Sequence, residues 1–215
     1  GTVPGSSYDF VSVTMHEIGH GLGFLSLAKK SGATGSFGLL LASDFAPLTT
    51  SFPWPDLDTL PSVFDRFLIN NLGQRLDSFP NPGSTLGLMF TGQNIFFNGS
   101  YTVAANKGVR PKMYAPPSYA LGSSVTHFDE TTFPSGDVNE MMTPNGTPGK
   151  ANHKPGPLMV AVLKDMGWNL NPASVFDVAD SDNRVGIYPN PAFNILSLIN
   201  LPDKVNNPEI IIIKN

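Results

Sequence analysis

The run His16-Glu17-Ile18-Gly19-His20 carries the most chemistry in this chain. Residues four apart on a helix share one face, so His16 and His20 can turn two imidazoles towards one metal ion. Glu17 sits one position round the helix, close enough to hold a water beside that metal. Two imidazole ligands and a general base from one helical turn is the H-E-x-x-H pattern of zinc-dependent hydrolysis. Two of the four histidines in the chain fall within it. A chance pair of surface histidines is the competing explanation, and the helical phase of the surrounding residues weighs against it.

The helix is expected independently of the motif. Tyr8 to Phe24 contains no proline, and Val11, Met15, Ile18 and Leu22 recur at helical spacing. Those four form an apolar stripe expected to face away from the histidines and into the core. Ser6 or Ser7 is expected to cap the start. Gly19, Gly21 and Gly23 each weaken a helix by roughly 1 kcal/mol against alanine. The helix is therefore expected to stop near Gly23, with a sharp turn just past the metal.

Catalytic zinc usually takes three protein ligands and leaves one position open. In a compact site the pattern H-E-x-x-H-x-x-G-x-x-H supplies the third. Gly23 matches its glycine, but the last position holds Ser26, a poor zinc ligand. The third ligand must come from further along. His127 and His153 are the remaining histidines, and Asp129 and Glu130 are acidic candidates beside the first. Asp129 or Glu130 could instead orient an imidazole from behind. His153, in Asn152-His153-Lys154-Pro155, reads otherwise as a loop histidine near the cleft.

The segment His16 to Phe24 resembles the active-site helix of the leishmanolysin-like metzincins. In that family a long insertion displaces the third histidine into a stretch close to G-S-x-H-W-(D/E), and E-L-M-x-P follows. Here the corresponding stretches are Gly122-Ser123-Ser124-Val125-Thr126-His127-Phe128-Asp129 and Asn139-Glu140-Met141-Met142-Thr143-Pro144. The resemblance implies His127 as third ligand and Met142 as the methionine of the Met-turn beneath the zinc. Read without it, Met142 is an ordinary core filler. Gly156 to Trp168 is similar to the closing helix of the family, with its D-x-G-W-like end. The resemblance covers the first helix and roughly 121–168. The cysteines of the family are absent, and the insertion aligns with nothing in it.

Composition bounds the rest. With 215 residues, of which 40% are apolar, the chain can bury a real core. Only 14% are charged, while Gly numbers 21 and Pro 20, which favours turns and irregular structure. A net charge of −4 with no basic block argues against nucleic-acid binding. The sequence has no apolar run long enough for a membrane span. Zero cysteines exclude disulfides and thiolate ligands, and say nothing of compartment. The chain begins at Gly1 with no start methionine or signal peptide, so a fragment or mature form is expected. The β-sheet that precedes the active-site helix in metzincins is not found in it.

The insertion, 28–125, is rich in glycine and proline and either walls the site or packs beside it. Pro53-Trp54-Pro55 and Pro80-Asn81-Pro82-Gly83 signal turns. Ile95-Phe96-Phe97, Asn98-Gly99 and Tyr101-Thr102-Val103 read as a hairpin. Val63 to Ile69 reads as a strand or a short helix. The sequons at Asn98 and Asn145 read best as plain turns.

After Trp168 the character changes. Residues 171–183 read as a linker, and the spacing of Asp177, Asp180 and Asp182 fits no calcium loop. Arg184-Val185-Gly186-Ile187-Tyr188-Pro189-Asn190-Pro191-Ala192, followed by Phe193 to Leu198, resembles the start of a type IX secretion C-terminal sorting domain, a small β-sandwich. An ordinary β-sandwich module is the alternative. Ile210 to Ile213 reads as a further strand.

The expectation is therefore an α+β, metzincin-like zinc peptidase domain over 1–170, a linker over 171–183 and the start of a sorting domain over 184–215. His16, His20 and His127 would hold Zn2+, with Glu17 as general base. The substrate would be protein or peptide, and secretion machinery the partner of the tail. The protein would be secreted or surface-bound, exported across a bacterial outer membrane. A non-catalytic surface module keeping a structural zinc, or no metal, is the alternative from another class.

Overall fold

The structure is a computed structural model describing residues 3–46 and 59–169, with the strands at 186–188 and 197–199 described by their backbone. It is an α+β protein. The chain divides into two compact units, Gly1–Leu170 and Asn171–Asn215. No helix among the described residues is long and apolar enough to cross a membrane.

The first helix, α1, spans Phe10–Gly21. Its cap is Asp9, not Ser6 or Ser7. The Asp9 carboxylate accepts from Ser12 N and Ser12 Oγ, both at 2.8 Å, satisfying a free donor of the first turn. The chain leaves the helix through Gly23, whose φ of 102° only glycine adopts easily.

The buried face of α1 differs from the expected stripe. Val11 and Ile18 are exposed, the latter by 53%, and Phe10 by 80%. The helix is turned towards its histidines, with Gly19 buried and Met15 and Leu22 packed at the edge of the core. The cause is at Gly19. A Cβ there would lie 2.7 Å from Met142 Sδ and 2.7 Å from Met159 Cε. The helix approaches the core over its smallest residue.

The insertion forms most of the core. Strand β1 (Ala28–Ser31) pairs antiparallel with β2 (Thr34–Phe37), Ser31 opposite Thr34. Val63–Ile69 holds both expected forms in turn: a 3-10 turn over Phe64–Phe67, then β3 (Leu68–Asn70). The turn signal at 80–83 is a bend ahead of α2 (Ser84–Met89). The expected hairpin at 95–103 does not form. Instead β4 (Ile95–Phe97) pairs antiparallel with β3, and Ser100–Ala105 is a helix, α3. Asn98-Gly99 opens that helix because the Asp165 carboxylate caps it from outside. Asp165 accepts from Tyr101 N at 2.9 Å, Thr102 N at 2.8 Å and Thr102 Oγ1 at 2.7 Å. Pro53-Trp54-Pro55 lies outside the described residues.

Asp165 ends α4 (Gly156–Asp165), the expected closing helix. Just beyond, Trp168 Nε1 donates to Leu22 O at 2.8 Å, holding the end of α1. One aromatic cluster joins these parts. Phe24, just after α1, lies 4.9 Å from Phe64 and 5.1 Å from Phe128, and Phe64 lies 5.1 Å from Phe97, centroid to centroid. All four rings are fully buried, each contributing on the order of 1.5–3 kcal/mol. The insertion therefore shares its core with the histidine helix.

In the second unit β5 (Gly186–Tyr188) pairs antiparallel with β6 (Ser197–Ile199). The linker, Pro189 to Pro191, and Ile210 to Ile213 lie outside the described residues.

Candidate metal centre

Two elements bring three imidazoles together. His16 and His20 come from one face of α1. His127 comes from a hydrogen-bonded ladder built on β4. Met113 N donates to Ile95 O at 2.8 Å, Tyr114 N to His127 O at 2.8 Å and Asp129 N to Lys112 O at 2.9 Å. The extension of the sheet through 112–114 thus fixes where His127 stands. The residue itself is 4% exposed.

Each imidazole is held by a backbone carbonyl. His16 Nδ1 bonds Met141 O at 2.7 Å, His20 Nδ1 bonds Phe24 O at 2.8 Å, and His127 Nδ1 bonds Ser123 O at 2.9 Å. A carbonyl only accepts, so each Nδ1 carries the proton and each Nε2 keeps a lone pair. The three Nε2 atoms face one another. His16 Nε2 stands 2.9 Å from His20 Nε2 and 3.2 Å from His127 Nε2. Two bare lone-pair nitrogens cannot hydrogen-bond to each other. Their natural occupant is a cation, and all three ligand atoms lie within 4.8 Å of one another. Tetrahedral zinc with Zn–N near 2.0–2.1 Å sets its ligand nitrogens roughly 3.3 Å apart, close to both distances.

The electrostatics agree. Burial, followed by the neighbouring imidazoles, pushes His127 down to about 3 despite the Ser123 carbonyl. His20 is also lowered, first by burial, while the Phe24 carbonyl and the charge of Glu17 oppose the shift. Neutral imidazoles need lose no proton to bind a metal.

Met142 is fully buried, its sulfur against Gly19, which stands between His16 and His20 in the chain. The 3-10 turn Glu140–Met142 also holds both ligand elements by its backbone. Met141 O receives His16 Nδ1, and Met142 O receives Phe128 N at 2.8 Å. These carbonyls, with those of Phe24 and Ser123, are the partners that sequence reading missed. Backbone carbonyls leave no residue-type signature.

Comparison with protein-family models, with curated proteins and with solved structures found no match.

The other candidates are placed elsewhere. His153 Nε2 bonds Asp9 Oδ1 at 2.7 Å, so this histidine supports the cap of α1. Asp129 does not orient an imidazole. Its carboxylate takes the hydroxyls of Thr131 at 2.6 Å and Thr132 at 2.7 Å and faces Lys112 at 3.7 Å. Glu130 bonds the side chain of Asn145. Ser26 is buried, with its Oγ accepting from Ala28 N at 3.1 Å. Glu17 is exposed and lines a cavity of about 410 Å3 with His16.

Proposed function

We propose that the protein is a zinc endopeptidase of metzincin type, hydrolysing protein or peptide bonds. The observation that carries this reading is the convergence of three lone-pair Nε2 atoms, two of them on the helix that bears Glu17. Imidazole suits zinc, as it does copper, iron and nickel, and the H-E-x-x-H spacing with Glu17 favours zinc among them. Structural zinc sites are closed by four protein ligands, whereas catalytic ones have three and an open position. The cluster found among the described residues has three.

A bound Zn2+ would polarise the scissile carbonyl and lower the pKa of a water from about 15.7 towards 7. His16, His20 and His127 would hold it, their rings locked by the carbonyls behind them. Glu17 takes a proton from the attacking water as oxygen bonds to the carbonyl carbon. The C–N bond then breaks, and Glu17 passes the proton to the leaving amine. Glu17 donates no ligand, so its two roles are separable from metal binding. The tail bears the export reading: secretion across a bacterial outer membrane through a sorting domain of type IX kind.

Glu17→Ala should keep zinc and lose at least about 100-fold in peptide hydrolysis, the usual scale of an acid–base contribution. Turnover equal to wild type in that variant removes the mechanism.

A further inference from the structure

The 410 Å3 cavity has no role in holding the metal, yet it opens against both His16 and Glu17. It lies between the first turns of α1 and the loop that follows the Met142 turn. Its volume falls in the range of small-ligand pockets, roughly 300–1,000 Å3. Neither His20 nor His127 lines it, so it lies to one side of the centre, the side of Glu17.

We infer that this cavity receives the side chain of the residue supplying the leaving amine, and that it selects lysine or arginine there. The inference rests on the peptidase reading above. Glu17 delivers the proton to the leaving nitrogen, so the cavity Glu17 lines adjoins that half of the substrate.

The charge on the walls sets the class. Asp9, Glu17 and Glu140 place three carboxylates around the space, against one ammonium, Lys150. Asp9 is shared with His153, and Glu140 accepts from Gly136 N and Asn152 Nδ2, neutral donors that cancel none of its charge. Asp9 is firmly ionised. The Ser12 hydroxyl, then the Ser12 N–H, then His153 hold it down to about 2. Lys150 Nζ donates at 3.1 Å to Ser135 Oγ, and Ser135 does not line the cavity. Tyr8 and Val13 provide apolar wall for the methylenes of a long side chain. An acidic side chain would meet like charge, which discriminates as effectively as attraction.

The walls are also fastened to each other. Asn152 N donates to Ser12 Oγ at 2.8 Å and Gly149 N to Ser7 O at 2.8 Å. The loop is thereby tied across to the helix, and the space between them is preformed.

The test uses the full chain with zinc and a peptide mixture varied at each position, reading new N-termini by mass spectrometry. Products should begin with Lys or Arg. The ratio of kcat/KM for an arginine peptide over its glutamine counterpart should fall about three- to tenfold in Glu140→Gln. It should rise in Lys150→Gln, whose side chain is exposed. A ratio is insensitive to any general loss of activity in either variant. Apolar or acidic new N-termini, or a ratio unmoved by Glu140→Gln, overturn the inference and leave the peptidase reading standing. If wild type and Glu17→Ala cleave nothing alike, the peptidase reading falls, and this inference with it.

Discussion

An imidazole presents one nitrogen to a metal reliably only when its other nitrogen is engaged. His16, His20 and His127 meet that condition through three carbonyls from three different segments. His16 and His20 are legible in the sequence because a helix makes their spacing a shared face. His127 stands roughly a hundred positions later, and spacing alone left it level with His153. Gly19 is the least obvious member of the site, since it reads as a helix weakener. In the structure it lets α1 settle on Met142. Gly19→Ala should gain about 1 kcal/mol in helix propensity and lose about 1–3 kcal/mol to overpacking. Stability should fall by about 0–2 kcal/mol in consequence. Zinc affinity should fall roughly tenfold, as when other supporting contacts are disturbed, because the added methyl displaces the Met142 side chain, next in the chain to the Met141 carbonyl that holds His16. Zinc titration and thermal melting check this together. An unchanged affinity contradicts the link between Met142 and the ligands.

At the scale of elements, the sequence showed helices better than their faces and connections. The α1 pattern predicted a stripe through Val11 and Ile18, which the structure exposes. Apolar spacing could not reveal that a glycine would set the contact. The hairpin expected at 95–103 failed because Asp165, distant in sequence, caps Ser100–Ala105 as a helix. Asp65 ties the insertion to Leu27, in the segment that follows α1. Its Oδ2 accepts from Leu27 N at 3.0 Å and Ser62 N at 2.8 Å, while its buried Oδ1 has no partner. Burial pushes this carboxyl from 3.8 up to about 6. The folded state therefore binds its proton more tightly than the unfolded state. The stability this provides is complete below 3.8 and is lost as pH rises through about 6. Asp65→Asn removes the titration and keeps the shape. Relative to wild type it should be more stable at pH 8 than at pH 3.5. Urea denaturation at both values decides the matter, and an equal difference at both contradicts the assignment.

At the scale of the molecule, the chain is α+β, and the three histidines that could hold a metal sit where α1 meets the core built largely by the insertion. Low charge and abundant glycine and proline pointed to short elements, and short elements are found. They could not show that the insertion would share one aromatic core with the site, since long-range packing leaves no local period. The tail is a separate unit beginning at Asn171. If it is an export signal, removing everything after Leu170 should leave zinc binding intact and abolish secretion from the native host. Normal secretion of the shortened protein contradicts the export reading without touching the metal site.

The central claim is the identity of the third ligand, and zinc titration of wild type, His127→Ala and His153→Ala tests it most directly. Wild type should bind one zinc per chain. His127→Ala should bind far more weakly, because two imidazoles form an incomplete site. His153→Ala should bind almost as wild type does, since its ring bonds Asp9 instead. Retention of zinc by His127→Ala together with its loss from His153→Ala would contradict the account.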